Sequence, residues 1–172
     1  MINGYHIKDI LQKACNELSY NFYFGNRTEI DNLLILKGKD ITQREVKYPF
    51  VWLVTNYSEK INNTDDFYST IDFSLVFVNV TKRVSSSENR YNDNIDTVLH
   101  PIASSLFGLL NNSTYAEFIH KKAGEILSYQ SFERYLYGNE NKNTNVFSDN
   151  PTDAIEVKAS LRLNINYQNC NQ

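Results

Sequence analysis

Hydrophobic positions along the chain predict its elements in order. Ile7, Ile10, Leu11, Ala14, Cys15 and Leu18 repeat at three- and four-residue spacing, the period of one helix face. Asn3 is a suitable cap for that helix. Tyr20–Phe24 is aromatic and strand-like, closed by Gly25-Asn26. Glu29–Leu36 reads as a further strand, with a short helix as the alternative, and residues 38–47 read as a polar loop. Tyr48–Thr55 (YPFVWLVT) is a continuous apolar run of the length of a buried strand. Pro49 belongs at its first residues, because proline cannot donate to a central ladder. Tyr57–Asp66 reads as a polar turn. Phe67–Val80 is the longest strand candidate, with Phe67, Ile71, Phe73, Leu75 and Phe77 on one face. Its other face, polar through Tyr68, Thr70, Asp72 and Ser74, turns apolar at Val76 and Val78, so the strand ends buried on both sides.

Ser85–Glu88 is a helix-start signal. The stripe behind it is Tyr91, Ile95, Val98, Leu99, Ile102, Leu106, Leu109 and Leu110. Pro101 lies inside this pattern, which predicts a kink or two helical pieces. Tyr115–Gly124 reads as one more helical turn and Ile126–Tyr137 as a strand. Gly138–Asp153 is the most polar stretch, a long loop or the tip of an extended hairpin. In the last strand Ile155, Val157, Ala159, Leu161, Leu163, Ile165 and Tyr167 face one way. Glu156, Lys158, Ser160, Arg162, Asn164 and Asn166 face the other. Its length suits pairing along the whole Phe67–Val80 strand. The expected fold is α+β: a mostly antiparallel sheet, with the N-terminal helix and one long helix packed on one face. Residues 1–172 form a single domain, with no internal repeat.

Composition narrows the classes. The chain has 172 residues, a net charge of −3 and 22% charged residues, which argues against a broad basic surface for nucleic acid or anionic membrane. No apolar run approaches the length of a membrane span, and the N-terminus has no signal-peptide core. Cys15 falls on the apolar face of the first helix and Cys170 near the end of the chain. No CxxC or Cys/His set has zinc-like spacing.

Catalytic motifs are missing from the sequence. There is no phosphate loop, GxGxxG, HExxH or GxSxG pattern. His100 lies four residues after Asp96, the spacing of an ordinary surface helix pair. Asp65-Asp66 and Asp93/Asp96 suit turns and a helix face. Asp149, Asp153 and Glu156 lack the EF-hand glycine and ligand order. The expectation is no enzyme activity, no cofactor and no metal. With 12 tyrosines and 10 phenylalanines, aromatic clusters not interleaved with Arg or Lys point to strand packing and subunit contact.

The order of elements, with the phrases YPFVWL, DFYSTIDFSLVFVNVTK, R-Y-x-x-x-I-x-x-V-L-x-P-I (Arg90 to Ile102) and AIEVKASLRLNI, resembles the neck and tail-terminator proteins of tailed bacteriophages, particularly those of Bacteroidetes phages. The resemblance implies a non-enzymatic virion subunit made in the host cytoplasm. Such subunits form a closed ring, six- or twelve-fold, against neighbouring neck or tail proteins, and DNA passes through the lumen without sequence-specific binding. Contact candidates are the segments Tyr57–Asp66 and Gly138–Asp153 and the tail after Tyr167. Their residues are Tyr57, Glu59, Lys60, Asp65, Asp66, Asn139, Lys142, Phe147, Asp149, Asp153 and Tyr167. A small assembly factor or binding module, acting as a monomer or dimer, is the alternative. An enzyme built on His100, Asp96 and the loop carboxylates would require a cleft that gathers them.

Overall fold

The computed structural model describes residues 7–30, 32–33, 48–62, 68–81, 85–112, 116–118, 128–132, 146–147 and 150–164. Helix α1 spans Ile7–Glu17 and buries Ile7, Ile10, Leu11, Ala14 and Cys15, the face that the spacing predicts. It ends in a Schellman motif: Tyr20 N–H donates to the Cys15 carbonyl at 2.8 Å and Ser19 N–H to that of Asn16 at 3.1 Å. Ser19 takes the left-handed position, φ 59°, that glycine usually fills.

Strand β1 is Asn21–Gly25, and residues 27–30 and 32–33 after it are helical (α2) rather than the strand expected over Glu29–Leu36. The cause is local. Asn26 Oδ1 accepts from Glu29 N–H at 3.0 Å, and Glu29 Oε2 accepts from Asn26 N–H at 2.8 Å. That reciprocal capping box satisfies two backbone donors at the helix start. Strand β2 (Phe50–Val54) pairs parallel to β1, with Tyr23 opposite Trp52, and α2 lies in the connection between them. Pro49 lies just ahead of β2, outside the ladder, and all five β2 residues are buried.

Strand β4 (Tyr68–Val80) and strand β8 (Asn150–Asn164) form the spine of the sheet, antiparallel from Tyr68↔Asn164 to Val80↔Thr152. The full-length pairing read from the sequence is present, but β8 starts five residues earlier than Ile155. On the outer side of β4, its second half pairs β2 and its first half pairs β3 (Ser58–Asn62). The segment expected as a polar turn thus carries a strand. On the outer side of β8 lie β5 (Ala116–Phe118), β6 (Ser128–Phe132) and β7 (Val146–Phe147). β5 replaces the expected helical turn at Tyr115–Gly124. Pairing with β8 overrides weak local preference there.

The long helix is continuous: α3 (Ser87–Arg90), a π-helical segment (Tyr91–Leu99) and α4 (His100–Asn111). Pro101 lies inside this continuous helix, directly after the π segment, so its missing N–H removes one interior hydrogen bond. The expected kink or division into two pieces falls beside a change of helical pitch at Leu99–His100. α1 and the long helix share one core with Val51, Leu53, Ile71, Phe73, Leu75, Phe77, Ile155, Val157, Ala159, Leu161 and Leu163. Among the described residues, the opposite sheet face carries an apolar cluster at the β2 end. There Tyr23, Phe50, Trp52, Val54, Val76, Val78 and Ala154 pack under Ile30 of α2. The fold is α+β with a mostly antiparallel sheet, and α2 is an addition on the second face.

Candidate functional site

At the far end of the helix-side core the apolar packing gives way to a polar knot. Asn79 of β4 and Asp153 of β8 are direct cross-strand partners. Asn94 of the π segment bridges them. Its Oδ1 accepts from Asn79 Nδ2 at 2.6 Å, and its Nδ2 donates to Asp153 Oδ2 at 2.9 Å and to the Val80 carbonyl at 3.2 Å. Arg90, one turn earlier, brings its guanidinium to 3.8 Å from Asp153 Oδ1. Arg90 is 2% exposed and Asp153 0%, so the pair is withdrawn from water.

At 3.8 Å and an effective dielectric near 20, the attraction is about 4 kcal/mol. Removing two ions from water costs several kcal/mol each. The knot therefore contributes position more than net stability. It ties the head of the long helix to the paired ends of β4 and β8.

The π segment is what allows it. In an α-helix nine residues turn about 900°, so Arg90 and Leu99 would face opposite ways. At about 4.4 residues per turn, nine residues turn about 740°, and the two fall within about 20° of one face. The buried positions Arg90, Asn94, Ile95 and Leu99 follow that wider period, and Ile102, Ala103, Leu106, Phe107 and Leu110 then resume the α period. Tyr91, placed on the apolar stripe by an α period, is instead 47% exposed.

The candidate residues fall out as follows. Asp153, expected in an exposed loop, is enclosed within the chain by Arg90 and Asn94, and its carboxylate is committed inside the subunit. Glu59 and Lys60 are exposed on β3, and Tyr57 is half-buried against the main core. Phe147 lies in β7, its backbone opposite Asn150. Asp65, Asp66, Asn139, Lys142, Asp149 and Tyr167 lie outside the described residues. His100 Nδ1 and Asp96 Oδ1 are 3.4 Å apart on the outer side of the helix, with Asp96 62% exposed. Asp96 of this pair is exposed, whereas Asp153 is fully buried. Among the described residues no group of three or more His, Cys, Asp or Glu is placed to hold a metal ion. None of the described helices is long and apolar enough to cross a membrane. Burial pushes the Cys15 thiol up to about 12, which keeps it protonated and unreactive at neutral pH.

No motif in the sequence marks Arg90, Asn94 and Asn79 as a site. The available signal was the spacing of Arg90, Asn94 and Leu99, which follows no α period. No protein-family model matches the sequence, and no curated protein matches it.

Proposed function

We propose that the chain is a non-enzymatic structural subunit of a phage neck or tail-terminus ring, joining the portal-adaptor assembly to the tail and forming part of the DNA conduit. The observation that carries this reading is the layout: an N-terminal helix, short strands, one long strand, a long helix bearing the Arg90–Ile102 pattern, and a long closing strand paired along the whole of the first. The same order underlies the resemblance to neck and tail-terminator proteins.

Glu59 and Lys60 are exposed on the outer strand β3, and their charges blunt unspecific strand addition at this edge.

The test is location. Particles of the phage encoding this chain are purified, labelled with an antibody against it, and analysed for its peptides. Label at the head–tail junction, with a ring of counted copies in that layer, is the expected result. Absence of both label and peptides sinks the proposal.

A further inference from the structure

The π segment is held along its inner side by Ile95 and Leu99 in the main core, and at its head by polar contacts that centre on Asp153. A π turn is intrinsically rarer than an α turn, so its persistence over Tyr91–Leu99 depends on what it positions. Arg90 and Asn94 both reach Asp153, and Asp153 sits near the start of β8, three residues after Asn150 and just beyond the β7 pairing at Asn150 and Pro151. Below the segment, α4 is fixed by Ile102, Leu106, Phe107 and Leu110 in the main core.

Rewinding residues 91–99 as α-helix on a fixed α4 rotates Arg90 by about 160°, from the sheet to solvent, and carries Asn94 outward with it. The apolar set survives the change. Ile95 and Leu99 stay on the sheet side, and Tyr91 comes into line with Val98 and Leu109, which are half-buried against the same core. The sequence thus carries two overlapping inward faces that share Ile95 and Leu99. The polar one, from Arg90, has the π period. The apolar one, from Tyr91, has the α period.

We propose that residues 91–99 are a two-register switch: π while Asp153 is seated at the paired ends of β4 and β8, α when Asp153 is withdrawn. The readout is the outer surface of the long helix. In the π register its exposed charges near the head are Glu88, Asp93 and Asp96, all acidic. In the α register Arg90 joins them. Displacement of the β7–β8 hairpin is therefore reported as a change of charge on the helix. This inference does not depend on the ring proposal.

The test uses the full-length chain with Asp153→Leu, which withdraws the carboxylate and keeps the strand. Arg90 is followed by phenylglyoxal modification and peptide mass spectrometry, with cooperative urea unfolding confirming that the variant is folded. In the wild type Arg90 is protected. In the variant it is expected to react at least about tenfold faster, approaching the half-exposed Arg162. A folded variant in which Arg90 stays protected overturns the proposal. If Asp153→Leu does not fold, deletion of the exposed residues Asp96 and Thr97 decides. Seven residues of α-helix return Arg90 to within about 20° of Leu99, so only one register then seats the knot. Amide exchange across the shortened segment is expected to slow at least about tenfold relative to the wild type. Unchanged exchange overturns the switch.

Discussion

Raising the pH through 9 will weaken the fold by way of Cys15. The thiol is fully buried on the inner face of α1, in the core shared with the long helix. Its ordinary value is 9.0, and burial pushes it up to about 12 in the folded chain. A folded group that holds its proton more tightly than the unfolded one contributes stability below pH 9. That contribution is lost as pH rises from 9 towards 12. At pH 10 the unfolded thiol is about nine-tenths ionised while the folded one is protonated, a loss of about 1.4 kcal/mol that grows to about 4 kcal/mol near pH 12. The assay is urea unfolding at pH 8 and pH 10, followed by fluorescence of Trp52, the one tryptophan, which is buried and donates from Nε1 to the Gly25 carbonyl at 2.8 Å. Cys15→Ala removes this titration and leaves the tyrosines and lysines in place, so the difference between the two pH responses isolates the thiol. Equal responses in the two chains, or alkylation of Cys15 in the folded protein at the rate of a free thiol, would refute the reasoning.

Three further outcomes are expected from the same unfolding assay. Gly25→Ala will destabilise by about 1–3 kcal/mol, because φ is +157° and an added Cβ would lie 2.7 Å from Glu29 Oε2, inside the capping box; an unchanged urea midpoint contradicts that. Asn26→Ala will cost about 1 kcal/mol by removing the cap on Glu29 N–H, and Asn26→Asp, which keeps the acceptor, should recover most of it. Ser19→Gly will stabilise by roughly 0.5–1 kcal/mol, since glycine relieves the left-handed strain at the end of α1; a lower midpoint would show that Ser19 contributes something more than its backbone.

The sequence by itself determined the elements whose period is unambiguous. α1 shows its 3.6-residue stripe, β2 its continuous apolar run, and β4 and β8 their alternation, down to the full-length pairing and the switch of Val76 and Val78 to a second buried face. These follow from side chains that point to one face or the other whatever else the chain does. The tertiary structure decided the rest. Residues 27–30 and 32–33 are helical because two side-chain hydrogen bonds, not hydrophobicity, start them. β3 and β5 are strands because the long strands beside them offer backbone partners. The long helix changes pitch because a buried arginine and asparagine must meet a carboxylate 59 residues further along the chain from Asn94. From the sequence Asp153 reads as a loop carboxylate for the same reason. Nothing in its neighbours states that Arg90 and Asn94 will enclose it, and a contact at that separation becomes visible only once β4, β8 and the helix have packed.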